Sequence, residues 1–346
     1  MKKTALLLTV AFVCLFAGPA RAATELSLTT IYVDRHPVVQ KIYVPWMEEI
    51  KRRTGGEVVI KYYNPGTICP EGEMYASLLS GSVDIASTQT SRTSGAMPLN
   101  NIMEVPFLFK SAEAASASMY KMAMKYPAMR DEYKGMRLLT THTSAIIQIH
   151  TTKKPIKSMA DLKGQKIASS TPFGRDIMRA LGANGQHIPF TDTYMALSRG
   201  MADGSFLAFA PLRSLKVNEV LKHSYVCNAS VAGMFVGMSE QAWAKLTPEQ
   251  QQIFRETTGE VLARKLGKLL DDSANADRDS LAKEGLSVVF ASDAEMAKMR
   301  KATTKLTTDW VKSVEKRKNI KGVQAMLDDL RKTADDLYIQ YEAEAQ

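Results

Sequence analysis

Residues 155–204, PIKSMADLKGQKIASSTPFGRDIMRALGANGQHIPFTDTYMALSRGMADG, constrain the fold more than any other part of the chain. They read as two short α/β units in succession. Ser158 to Leu162 makes one helical turn, and Lys163-Gly164 reverses the chain, since glycine takes positive φ without steric cost. The segment 165–170 is predicted as a short strand running into a polar loop, 175–181 as the following helix, and Gly182 as its stop. The next strand is predicted at 187–190. Thr191 or Asp192 then caps a helix with Tyr194, Leu197 and Met201 at helical spacing. In sheets built from such units, ligands sit beyond the carboxyl ends of strands and against helix N-termini. That points to 168–175 and 205–209.

The N-terminal third has the same grammar. A strand is predicted at 25–33. A helix follows at 37–53, with Val38, Ile42, Trp46 and Ile50 at steps of four. Gly55-Gly56 ends it. A second strand (58–63), a helix (70–80) and a third strand (83–87) complete a β-α-β-α-β order, which calls for a mainly parallel sheet flanked by helices. The polar loop 88–94 lies just beyond a strand end. The Met-rich segment 112–133 reads as adaptable helical core. Strands are expected at 135–142, 145–151, 233–239 and 286–290. Terminal helices are expected at 294–313 and 321–342. From Pro248 to Glu284 no proline occurs, and Leu262, Leu266, Leu269 and Leu270 form a stripe. One continuous helix over about 248–284 exceeds the needs of a single domain, at roughly 1.5 Å per residue.

The motifs Asp161-Leu162-Lys163-Gly164-Gln165-Lys166-Ile167, Leu181-Gly182-Ala183, Tyr194-Met195-Ala196-Leu197 and Gly200-Met201-Ala202-Asp203-Gly204 resemble those of the solute-binding subunits of tripartite ATP-independent periplasmic (TRAP) transporters, the DctP family. So do Tyr62-Tyr63-Asn64-Pro65-Gly66, Gly81-Ser82-Val83-Asp84-Ile85 and Glu104-Val105-Pro106-Phe107-Leu108-Phe109. The resemblance implies an α/β periplasmic binding fold of two lobes, each a mainly parallel sheet flanked by helices. Crossing strands and one long lobe-spanning helix join them. It places lobe one at 23–145 plus 234–272 and lobe two at 146–233 plus 273–346. It also implies capture of a small-molecule solute in the interlobe cleft and delivery to the membrane subunits of a TRAP transporter.

The N-terminus reads as a secretory signal, 1–22. Lys2 and Lys3 precede an apolar run too short to span a bilayer, and Ala20-Arg21-Ala22 supplies small residues for cleavage. The expected location is therefore the periplasm. Removal of Lys2, Lys3 and Arg21 lowers Lys+Arg from 45 to 42 against 36 acids, so the charge falls from +9 to +6. Basic and acidic residues are interspersed and no nucleic-acid motif appears, so nucleic acid is not an expected partner. Cys69 and Cys227 read as free buried thiols, with a bond between them as the alternative.

Enzymatic signatures are missing. There is no Gly-x-Ser-x-Gly elbow, phosphate loop or dinucleotide glycine fingerprint, and the five histidines lack metal-ligand spacing. Neither cofactor nor metal is expected. The only nucleophile–base pairing the sequence offers is Ser169 or Ser170 with His150, and a non-enzymatic binder is the expectation. The resemblance implies arginines gripping a carboxylate, but Ala168, Gln148 and Leu207 stand where the family carries Arg, Arg and Asn. A third family arginine is matched by Arg92, and Gln89 stands where some members have Glu. Arg175 is added cationic material near Ala168. The ligand-binding candidates are Arg92, Gln89, Gln148, Ser169, Thr171, Arg175, Phe173, Phe206 and His36. Bidentate arginine favours a solute with one carboxylate or sulfonate and a less polar remainder. The alternatives are a neutral or amine-bearing solute read by Gln89, Gln148 and the aromatics, or a ligand sensor serving a signalling receptor.

Overall fold

The computed structural model describes residues 23–93 and 95–344. The expected signal segment 1–22 lies outside them. Eleven strands among the described residues form two sheets. The strands of sheet one are β1 (Thr24–Thr30), β2 (Val58–Tyr63), β3 (Ile85–Gln89), β4 (Met136–Thr143) and β10 (Gly233–Ser239), in the order β2-β1-β3-β10-β4. Sheet two holds β5 (Ile147–Thr151), β6 (Lys166–Ser169), β7 (Asn184–His187), β8 (Gly204–Leu207), β9 (His223–Ser230) and β11 (Ser287–Phe290), in the order β11-β9-β5-β8-β6-β7.

Each sheet is parallel except for one strand. In sheet one β10 runs antiparallel to both neighbours, and in sheet two β5 does. These are the strands on which the chain arrives from the other sheet. The β4–β5 link passes through Ser144, Ala145 and Ile146, and the β9–β10 link through Val231 and Ala232. The links are bonded to each other: Ser144 N–H donates to Ala232 C=O (2.9 Å) and Ala232 N–H to Ser144 Oγ (3.0 Å). Both reversed strands therefore start at the seam between the sheets, and the parallel strands end there.

Several expected elements shift for identifiable reasons. The helix at 37–53 contains a π turn, Val39–Tyr43, before Val44–Arg53. Pro45 lacks an N–H, and a wider turn absorbs the missing hydrogen bond. The 112–133 helix stops at Lys125, and Pro127 starts a new turn. The strand expected at 187–190 lies at Asn184–His187, drawn back by its ladder with β6 (Lys166 opposite Asn184, Ser169 opposite His187).

The helix expected over 248–284 is broken. Pro248–Thr257 ends at Thr258, and Gly259, at φ 67°, N-caps Glu260–Lys283. The second helix still reaches both halves. Leu262, Leu266 and Leu270 enter the sheet-one core, while Leu281 enters a sheet-two cluster. Gly267 lets it pass close to Ala112, whose carbonyl oxygen would lie 2.4 Å from any Cβ. Asp271 accepts N–H bonds from Ala112 (2.8 Å) and Glu113 (2.9 Å), capping the Ala112–Lys125 helix.

Asp293–Lys318 also spans the halves, with Met299 in the sheet-two core and Val311 and Val314 in a cluster with Leu99 and Met119. The last helix, Val323–Glu344, departs from its expected place in lobe two. Leu327 and Leu330 pack with Met119 and Met122, and Leu337 and Tyr341 with Ala114 and Ala117, so its apolar stripe covers the Ala112–Lys125 helix. Cys69 and Cys227 are free, buried in separate clusters of the two halves.

Candidate functional site

The seam has two walls. On the first, β1 runs into Tyr32 and His36, and β3 ends at Gln89. The rings of Tyr32 and His36 stack at 4.2 Å with 23° between planes. His36 Nδ1 accepts the Val38 N–H at 3.1 Å, so Nε2 carries the proton and is a donor. Burial lowers the His36 pKa to about 4, so the ring is neutral near pH 7. Met234 lies opposite Gln89 in the ladder, and its sulfur is 3.3 Å from the Tyr32 hydroxyl.

Arg92 follows Gln89 by one short turn. Its Nε donates to Gln89 Oε1 at 2.9 Å, and Nη1 pairs with Glu71. Nη2 has no partner among the described residues. The guanidinium is partly exposed, 28% for the side chain. The structure thus brings Gln89 and Arg92 together, and adds Glu71, which sequence reasoning missed. Glu71 is 21 positions away, and only the fold makes them neighbours.

The second wall is the start of the Pro172–Ala180 helix. Thr171 is its N-cap, and its Oγ1 accepts the Gly174 N–H at 3.0 Å. Ser169 Oγ donates to the Thr171 carbonyl (3.2 Å). Gly174 allows this packing, because a Cβ there would come within 2.3 Å of Ser169 Oγ and 3.1 Å of the Phe206 ring. Phe173 packs against both the sheet-two cluster and the cluster around Leu99 and Met119, so it spans the seam.

Four candidates take on other work in this structure. Arg175 does not reach toward Ala168. It grips its neighbour Asp176 with Nε (2.8 Å) and Nη2 (3.0 Å), the carboxylate one position away being the nearest complement. Gln148 holds the backbone of the crossing. Its Oε1 accepts the N–H groups of Cys227 (2.8 Å) and Asn228 (2.9 Å), and its Nε2 donates to Asn228 Oδ1 (2.8 Å). This secures Asn228, at φ 45°, beside the register shift between β5 and β9. Phe206 is core, 3% exposed beside Ile149 and Ile167. His150, weighed as a base for Ser169 or Ser170, instead bonds Ser224 Oγ (2.7 Å) and the Leu207 carbonyl (3.0 Å).

Glu104 is the residue the sequence did not single out. It lies in the Asn100–Glu104 turn, 3% exposed, and Oε1 has no hydrogen-bond partner among the described residues. Its backbone carbonyl accepts the Ser230 hydroxyl across the seam at 2.8 Å. Burial raises its pKa to about 7, opposed by the hydroxyls of Ser91 on its own side and Thr171 on the other. The only sequence signal was its place in the Glu-Val-Pro-Phe motif. Among the described residues no group of three or more His, Cys, Asp and Glu is arranged to hold a metal.

A two-walled seam between two mainly parallel sheets, crossed twice by short links, is the geometry of a hinged solute trap. Residues 29–313 match the family described as bacterial extracellular solute-binding protein, family 7, DctP. This chain belongs to that family. Family 7 proteins are solute-binding components of transporters rather than enzymes, and TRAP solute-binding proteins work with membrane subunits. No helix among the described residues is long and apolar enough to cross a membrane.

The solute-binding protein is 24% identical over 285 residues to the 2,3-diketo-L-gulonate-binding periplasmic protein YiaO of Escherichia coli, covering 82% of this chain and 86% of that one. It matches a TRAP solute-binding protein of Rhodoferax ferrireducens, crystallised with copurified benzoate. That match has TM-score 0.84 and 22% identity, over 91% of this chain and 98% of that one. It also matches a TRAP periplasmic solute-binding protein of Bordetella bronchiseptica, crystallised with (R)- and (S)-mandelate, with TM-score 0.82 and 27% identity over 91% and 99% of the two chains. The expected family and the two-lobed α/β fold are thereby established.

Proposed function

We propose that this TRAP solute-binding protein captures a small organic anion, a carboxylate or sulfonate with a less polar remainder, and passes it to the membrane subunits of its transporter. It works in the periplasm after loss of residues 1–22. Arg92 carries this reading. It is a partly exposed guanidinium at the carboxyl end of β3, with Nη2 unengaged among the described residues. The uncharged His36 ring and the Thr171 end of the second-wall helix supply further donors, and Phe173 and Tyr32 supply apolar surface. The mandelate-bound relative supports an acid with an aromatic body. Closure of the lobes would be driven by solute contacts to both walls, which exist only in the closed state.

A second reading, a neutral or amine-bearing solute, draws on the compensation of Arg92 by Glu71 and on the unpartnered Oε1 of Glu104. Mass spectrometry of copurified solute, followed by a thermal-shift panel of carboxylates, sulfonates and amines, separates the two. An acid is expected to raise the melting temperature. Arg92→Ala is expected to weaken that acid about thirtyfold, the size of one charged hydrogen-bonding contact. Full affinity in Arg92→Ala, or a response confined to amines, would overturn the reading.

A further inference from the structure

A cavity of about 490 Å³ shares no lining residue with either wall. Its floor is the 105–109 segment with Met296 and Leu327. Its rim is drawn from the Asp293–Lys318 and Val323–Glu344 helices. Its size suits an organic ligand, since small-molecule sites run from about 300 to 1,000 Å³.

Three observations indicate what it takes. The first is charge. Lys110, Arg300, Arg331 and Asp335 line it, a balance of two positive charges. Lys110 is matched by Asp335 at 2.8 Å, and Arg331 reaches Asp328, one turn away on its own helix, at 3.1 Å. Arg300 has no ion pair and no side-chain hydrogen bond among the described residues. The second is the apolar floor, with Pro106, Phe107 and Leu108 beside Met296. The third is the backbone. Phe107 at φ 60° and Asn228 at φ 45° both line this cavity, and they are two of the four non-glycine residues with positive φ among those described. They come from opposite sides of the seam, and Phe107 N–H donates to the neighbouring Ala229 carbonyl at 2.9 Å. Strain of this kind persists only where surrounding structure imposes it, and it clusters at binding sites.

We infer that this cavity is a second binding site, for a small organic anion with an apolar body: the body lies on the Phe107–Met296 floor and the acid group meets the guanidinium groups of Arg300 and Arg331. Two threonines of the rim, Thr304 and Thr308, are not the anion's donors. Both give their protons to carbonyls one turn back, at 3.1 and 3.0 Å. Leu327 belongs to the cluster around Leu99 and Met119 while Met296 packs on the sheet-two core, so a ligand here touches both halves. By linkage, whatever it does to the affinity of the seam, a seam ligand does equally to its own.

The probe is 4-bromobenzoate and the protein is the full mature chain. Calorimetric titration should resolve a binding event that survives Arg92→Ala and weakens about tenfold or more in the double variant Arg300→Ala/Arg331→Ala. Both arginines are exposed, so the double variant should melt with the parent. A bromine anomalous peak should lie over the Phe107–Met296 floor, at the end of the ring opposite the two guanidinium groups. A peak confined to the seam, a titration unchanged by the double variant, or a peak with no solution event (binding at crystal concentration only) would each overturn the proposal. Loss of the seam event alone, in Arg92→Ala, bears on the proposed function and leaves this site standing.

Discussion

The two walls of the seam are built from opposite materials. The first carries charge, with Arg92 held between Gln89 and Glu71 and Glu104 buried close by. The second is uncharged at the seam. The Thr171 hydroxyl caps a helix start with the Ser169 hydroxyl bonded to its carbonyl, Phe173 supplies a ring, and the nearby guanidinium of Arg175 is engaged by Asp176. Under the proposed function, the contrast would separate two jobs. A charged group on one wall can fix a solute before closure, while a neutral, close-packed wall closes over it at little desolvation cost.

Glu104 gives the largest test of that contrast, because its carboxyl is buried against the neutral wall. Its pKa rises from the ordinary 4.5 to about 7. The folded state therefore holds this proton more tightly than the unfolded chain. The stabilising contribution is full below about pH 4.5, declines as pH rises, and is gone above about pH 7. Glu104→Gln keeps the shape without the charge. It should stabilise the protein at pH 8 by up to about 3 kcal/mol relative to the parent, and by little at pH 4.5. Melting curves of both proteins across that range check this, and equal differences at the two pH values would refute it. Comparison of the pair is essential, since His36, His142 and His150, each lowered to about 4 by burial, favour the folded state in the opposite direction, as pH rises through 4 to 6.5.

Close packing of the second wall is tested next. Gly174→Val drives a branched side chain toward Ser169 Oγ and the Phe206 ring. The expected cost is about 2 kcal/mol in denaturant unfolding, with weakened solute binding, as for overpacked cores. Unchanged stability would mean that the wall yields. The smallest effect is expected from Arg175→Ala. If the second wall contributes no charge, affinity for an anionic solute changes less than about twofold, in contrast to Arg92→Ala. A loss comparable to that of Arg92→Ala would erase the distinction between the walls.

The fold was legible from repeated local signals. Strand β2 falls at Val58–Tyr63 and β10 at Gly233–Ser239, as the apolar runs bounded by glycine and turn residues imply. Thr247 and Gln250 form a capping box, as do Ser158 and Asp161, whereas Asp192, one of the two expected caps of the Thr193–Ser198 helix, makes no side-chain capping bond. Boundaries moved where a longer-range partner intervened, as when the β6 ladder drew β7 back from Pro189. The break at Gly259 was visible as a residue type and not as a consequence. A glycine is tolerated inside a helix, as Gly267 is, unless its surroundings demand positive φ. Gly259 N–H donates to the Leu139 carbonyl of β4 at 2.7 Å, and the helix restarts from that contact.

The site was less legible. Arg92 and Gln89 stand three positions apart, and their pairing follows from local turn geometry. Glu71 joins them only through tertiary folding. Gln148 and Arg175 carry the right chemistry at the right address, and the structure gives them nearer partners, the Cys227–Asn228 backbone and Asp176.

What the sequence determined by itself is the family and the alternation of strand and helix, because both depend on residues close together in the chain: glycines at turns, caps before helices, apolar periodicity within each element. What the tertiary structure alone decided is which polar groups are free. Hydrogen bonds and ion pairs are settled within about 3 Å by competition among all groups the fold brings near. The number of such competitors at Glu104, Arg175 or Arg300 cannot be counted along a linear sequence.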